Sequence, residues 1–142
     1  MSDLTVLIAG GAGFIGSHLC DALVERGDGV VCVDNLITGG RRNVSHLDDR
    51  PGFRFVDCDV AALTEEALGA AGIDPSTLDV MVNLASPASP RDYRALPLET
   101  LHAGSAGTTA AAGEPSPLAR SPLPRWTRRP ALPAWVHRPA RR

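Results

Sequence analysis

The chain has 142 residues and a formal net charge of −2, enough for one modest domain with a hydrophobic core. That near balance conceals a split: residues 1–112 carry seven arginines against fifteen Asp and Glu, a net of −8, while residues 113–142 carry seven arginines against Glu114 alone, a net of +6. The sequence has no apolar run long enough for a membrane span, no signal-like opening and only three cysteines (Cys20, Cys32, Cys58) without paired spacing, which excludes a membrane protein and a disulfide scaffold and leads us to expect a cytoplasmic protein.

"LTVLIA" (4–9) is a short continuous apolar run ending in glycines, as expected of a buried parallel strand. From Phe14 to Arg26 the apolar residues Ile15, Leu19, Ala22 and Leu23 recur at helical spacing, and Gly27 is a natural stop. "VVCVD" (30–34) is a second buried strand, followed by a polar, glycine-containing loop over 35–43. "FRFVDCD" (53–59) reads as a third strand whose alternation implies less burial, and 61–72 as a helix with Thr64 as a possible cap. "LDVMVNLA" (78–85) is a fourth strand ending at Ser86-Pro87, and 97–113 opens as a helix with Pro97 at an early position. Strands alternating with helices predict an α/β fold, a Rossmann-like doubly wound parallel sheet with right-handed crossovers. A fifth strand is due near residue 115, but seven of the twelve prolines fall in the last thirty residues and no buried strand can run through them. The sheet is therefore read as truncated after about four strands, with a partial domain over 1–112 and a disordered Pro/Arg-rich tail over 113–142.

"GGAGFIG" (10–16) places Gly10, Gly13 and Gly16 between a strand and a helix. A dinucleotide pyrophosphate must touch backbone N–H groups at a helix N-terminus, and a Cβ in that turn would hold it away. Asp34, eighteen residues after Gly16, ends the second strand, where a carboxylate can accept hydrogen bonds from the adenosine ribose hydroxyls. Its charge would repel a 2′-phosphate, so NAD is favoured over NADP. Arg41 and Arg42 lie close by, either as a solvated loop or as phosphate contacts. Asp59, ending the third strand, can meet the adenine amino group, and Ser86 beyond the fourth strand can reach a cofactor or belong to a plain Pro-rich turn. His18, His46, His102 and His137 show no metal-ligand spacing.

"IAGGAGFIGSHLCDALVERG", "VCVDNLITGGRRNVSHL", "CDV" and "NLASPASPRDY" together resemble the extended short-chain dehydrogenase/reductase (NAD-dependent epimerase/dehydratase) family, most of all its UDP-glucuronate decarboxylases, over roughly residues 4–108. The resemblance implies that Gly10, Gly13, Phe14, Ile15 and Gly16 line the pyrophosphate and that Asp34, Asn35, Leu36, Ile37, Thr38 and Gly39 surround the ribose. It implies further that Asp59 and Val60 flank adenine, and that Leu84, Ala85 and Ser86 pass under the NAD with Thr100 near it. In the complete family enzyme, a homodimer, UDP-glucuronate would be oxidised at C4, the β-keto acid would lose CO₂, and the hydride would return to give UDP-xylose. Two positions depart from the family: Ala9 replaces a common Thr, and Glu99 stands where decarboxylases often carry a lysine near the substrate.

The family's catalytic tyrosine and lysine, in Tyr-x-x-x-Lys spacing, belong to a part that these residues do not resemble. The chain has one tyrosine, Tyr93, with Pro97 four places on, and no lysine. No catalytic residue is therefore expected. Arg, Pro, Ala and Trp without Lys is what a GC-rich coding sequence gives when read out of frame, so the expected function is that of an inactive N-terminal NAD-binding portion of a nucleotide-sugar enzyme. The alternative is a genuine short protein, a non-catalytic dinucleotide-binding or interaction module with a basic tail. That tail, with Trp126 and Trp135, lacks repetition or a docking motif, and no nucleic-acid partner is expected.

Overall fold

The structure is a computed structural model that describes residues 4–87 and 89–105. The expectations for the fifth-strand position and for the tail lie outside them. Four parallel strands, β1 (Thr5–Ala9), β2 (Gly29–Asp34), β3 (Phe53–Asp57) and β4 (Val80–Asn83), form one sheet in the order β3-β2-β1-β4. Registers such as Ile8 opposite Cys32 and Val82, and Val33 opposite Val56, hold it together. The chain winds outward from β1 to β3 and then crosses back to place β4 on the other side of β1. This reversal opens a crevice beyond the carboxyl ends of β1 and β4.

Because side chains alternate along a strand, each central strand feeds two cores. Val6, Ile8, Val30 and Cys32 face α1 (Phe14–Arg26) together with Val44, Leu47 and Phe53. Leu7, Ala9, Val31 and Val33 face the other layer, where Leu68 of α2 (Glu65–Ala70) packs with Val56, Val60, Ile73 and Leu78. Thr64 caps α2 by accepting the Ala67 N–H, as the sequence suggested. The expected helix over 61–72 is shorter, because its start is a 3₁₀ turn at Val60–Ala62 capped by Asp59. The strands β3 and β4 are likewise shorter than read, and β4 is half-buried throughout, with one edge unpaired among the described residues.

The bounds of α1 agree with the sequence reading, and Gly27 ends it at φ 91°. Its inward face follows the apolar spacing at Leu19 and Leu23 but not at Ile15 and Ala22. Ile15 is 69% exposed and Ala22 is also exposed, whereas Gly16, Ser17, Cys20, Leu23 and Val24 are buried. Small residues take the inward positions of its first two turns because the helix begins almost in contact with the glycine turn. A Cβ on Gly16 would lie 2.2 Å from the Gly10 carbonyl oxygen. A helix to which the sequence reading gave no element, α3 (Pro90–Ala95), starts at Ser89, whose hydroxyl accepts the Asp92 N–H. It leads directly into α4 (Pro97–Gly104), and the expected helix over 97–113 is described only that far.

Candidate functional site

The cleft lies where the ends of β1, β2 and β4 meet the start of α1, and it measures about 610 Å³ counted to its open mouth. Its floor is the glycine turn. Gly10 has φ +79°, and a Cβ there would fall 2.6 Å from the Leu84 backbone carbon, so this glycine allows the β4 exit to cross the turn. Gly13 faces the cleft with only the Gly10 oxygen near its absent Cβ, and it caps α1 with no side-chain bond and no acid in the first turn. The first helical bond runs from the Ser17 N–H to the Gly13 oxygen, leaving the N–H groups of Phe14, Ile15 and Gly16 without a partner inside the helix. The result is an electropositive helix start with no internal anion.

Asp34, 8% exposed, closes one wall. Its Oδ2 accepts the Ala12 N–H at 2.9 Å and its Oδ1 the Leu36 N–H at 2.8 Å. Ala12 is held again through its carbonyl, which accepts from the Gly40 N–H and the Asn43 amide. Leu36 adopts φ 58°, a conformation that costs an L-residue roughly 1–2 kcal/mol, and the bond to Asp34 helps offset it. The carboxylate thus fixes both the glycine turn and the loop after β2, and each oxygen retains a lone pair that can meet a ligand hydroxyl.

Beside it Asn35 donates to Asp59 Oδ2 at 3.1 Å while Asp59 Oδ1 accepts the Ala61 N–H. Asn35, Ile37, Thr38, Gly39, Asp59 and Val60 all line the cleft, as do Leu84, Ala85 and Ser86 on the opposite wall. Of the residues expected to surround a dinucleotide, twelve line the cleft and five do not. Phe14 and Ile15 turn their side chains to solvent, and only their backbone is near the turn. Gly16 is spent on helix packing, Leu36 packs against the α1-side core, and the Thr100 hydroxyl donates to its own helix at the Leu96 carbonyl.

Five lining residues lie outside the expected cofactor set: Val33, Cys58, Pro87, Glu99 and Ala103, of which Glu99 was named only as a departure near the substrate. Pro87 follows the stretch already singled out, and Cys58 precedes Asp59, so adjacency was the available signal. Glu99 and Ala103 arrive only because α4 folds back, tied by the Asn83 amide to the Ala103 carbonyl at 3.3 Å. Cys58 is half-buried, and burial together with the charges of Asp59 and Asp57 pushes its thiol pKa up. Cys20 and Cys32 are fully buried small apolar groups. A hydrogen bond of the Cys32 thiol to the Cys20 sulfur, together with burial, raises the Cys32 pKa far above its ordinary range. Neither Arg41 nor Arg42 lines the cleft. Arg41 instead pairs with Asp48 and stacks over the Phe55 ring at 4.2 Å.

Residues 6–113 match the NAD dependent epimerase/dehydratase family. The chain belongs to that family. Among NAD dependent epimerase/dehydratase proteins it is similar to UDP-glucuronic acid decarboxylase 4 of Arabidopsis thaliana, 39% identical over 112 residues, which is 78% of this chain and 23% of the relative. It is similar in structure to a Stenotrophomonas maltophila UDP-glucose-4-epimerase with bound NAD and formylated UDP-arabinopyranose (TM-score 0.63, 27% identity, 82% of this chain and 34% of the other). A Thermus thermophilus UDP-glucose 4-epimerase complex with NAD matches with TM-score 0.57 and 31% identity over 75% of this chain and 32% of the other. The chain thus spans about a quarter of the decarboxylase and a third of the epimerases. No helix among the described residues is long and apolar enough to cross a membrane.

Proposed function

We propose that this chain is the NAD-holding head of a nucleotide-sugar enzyme of the UDP-glucuronate decarboxylase type, and that its 142 residues bind the cofactor without turning over a sugar nucleotide. The observation that carries the reading is the pairing, across one cleft, of an uncapped helix start at Gly13 with the Asp34 carboxylate at the end of β2. The free N–H groups of the first turn of α1 suit the pyrophosphate, and the remaining lone pairs of Asp34 suit the adenosine ribose hydroxyls. Asp59, with Asn35 bonded to it, suits the adenine amino group. Leu84, Ala85 and Ser86 form the wall along which the rest of the cofactor would run. Bound NAD supplies a hydride acceptor, and this chain's residues do no more than bind and orient it.

The engagement of Arg41 by Asp48 and Phe55 supports NAD over NADP, since among the described residues no cation lines the cleft to meet a 2′-phosphate. The absence of lysine from the sequence, and hence of a Tyr-x-x-x-Lys pair, supports the lack of turnover. Two measurements on the purified chain test this reading. Titration calorimetry should show NAD binding, and incubation with UDP-glucuronate and NAD should give no UDP-xylose above a no-protein control. Absence of NAD binding would overturn the first part, and UDP-xylose formed in proportion to protein would overturn the second.

A further inference from the structure

We propose that Glu99 sets the net charge that the cleft accepts, ranking ligands by their negative charge and favouring a dinucleotide with no phosphate beyond its pyrophosphate. The proposal rests on the reading of the cleft as a dinucleotide site.

Among the described residues the formal charges on the cleft wall are Asp34, Asp59 and Glu99, all negative, and no arginine or histidine lines it. The three acids are not equivalent. Asp34 is bonded to the Ala12 and Leu36 N–H groups, and Asp59 to the Ala61 N–H and the Asn35 amide, so both serve the fold. The Glu99 carboxylate makes no hydrogen bond or ion pair among the described residues. It stands in the first turn of α4, where the helix start favours a negative charge. That position leaves its field directed at whatever occupies the cleft. Arg41 is engaged elsewhere by Asp48 and Phe55, and Arg42 does not line the site.

The start of α1 therefore attracts one anionic group, while Glu99 adds to Asp34 and Asp59 in opposing each further one. Glu99 is exposed, so solvent screens it, and salt screens it more. Facing a partly aqueous cleft, one carboxylate weakens binding on the order of two- to threefold per added negative charge at low ionic strength, and a 2′-phosphate adds two such charges.

The test titrates the full chain and its Glu99→Gln and Glu99→Asp variants with NAD, NADH and NADP, three ligands of increasing negative charge, by calorimetry at low and at high salt. The expected result is that Glu99→Gln narrows the NAD-to-NADP affinity ratio by about three- to tenfold, with NADH intermediate. Glu99→Asp should keep the wild-type ratio, and high salt should erase the difference between Glu99→Gln and wild type. A wild-type protein that binds NAD, with a ratio unchanged within about twofold in Glu99→Gln, overturns the role of Glu99 while leaving the dinucleotide reading intact. A wild-type protein that binds none of the three overturns the reading beneath it, and the proposal with it.

Discussion

Replacing Gly16 by alanine tests the argument that the helix start is held against the glycine turn by backbone contact. The added Cβ would meet the Gly10 oxygen at 2.2 Å, the Gly11 Cα at 2.7 Å and the Gly10 carbonyl carbon at 2.9 Å. All three are main-chain atoms and cannot rotate away, so α1 must retreat or the turn must deform. Overpacking of this kind costs about 1–3 kcal/mol, and a clash wholly against backbone belongs at the upper end. Alanine's helix propensity returns at most about 1 kcal/mol, leaving a net loss of about 2 kcal/mol. For a domain of this size that lowers Tm by about 8–16 °C. Gly69→Ala is the internal control: Gly69 lies in α2 with nothing within 4 Å of its missing Cβ, so the same change there should stabilise by about 0.5–1 kcal/mol. Urea unfolding of the wild type and both variants, followed by far-UV circular dichroism, reads both effects. If Gly16→Ala unfolded within about 0.5 kcal/mol of wild type, or shifted in the same direction as Gly69→Ala, the close approach of α1 to the turn would be wrong.

Asp34→Ala should weaken NAD binding roughly tenfold or more, since a charged hydrogen bond contributes about 1.5–3 kcal/mol, and calorimetric titration showing an unchanged affinity would contradict the assignment. Cys58 should react with iodoacetamide only as pH rises past the ordinary thiol range, because burial and the neighbouring Asp59 and Asp57 raise its pKa and keep it protonated at neutral pH. Its modification should also slow when NAD fills the cleft that it lines; a thiol with a midpoint at or below that of free cysteine, or one indifferent to NAD, would contradict its placement.

The strands and α1 were legible because their signals are local. "LTVLIA" and "VVCVD" are apolar runs closed by glycine or an acid, and Gly27 and Thr64 announce helix ends within a few residues of where they act. The facing of α1 was legible at Leu19 and Leu23 but not at its first turn, because the position of Gly16 is dictated by Gly10 rather than by hydrophobic spacing. α3 hid behind Pro87 and Pro90, although Ser89 followed by a helical Pro is itself a start signal. In the site, Gly10, Gly13, Asp34 and Asp59 followed from motif spacing. What Gly10 and Asp34 do within the fold did not: Gly10 accommodates Leu84, seventy-four positions later, and Asp34 reaches back to Ala12. Glu99 and Ala103 joined the wall only through a bond between β4 and α4 that no local pattern encodes.

The double anchorage of Asp34 bears on any attempt to re-engineer the cofactor preference. Exchanging this acid for a neutral or basic residue, the obvious route to a phosphorylated ribose, would strip the Ala12 and Leu36 N–H groups of their acceptors at a stroke. The glycine turn and the strained residue at Leu36 would then lose the same support, and a variant designed for a new ligand would arrive with a loosened receptor for either one. Converting the preference therefore calls for a replacement that preserves an acceptor, such as Asp34→Asn, together with a cation placed on the neighbouring loop at Ile37 or Thr38, both of which are exposed and face the cleft. On the proposed reading of the cleft, recognition and scaffold share one carboxylate, and selectivity can be moved only by separating the two duties first.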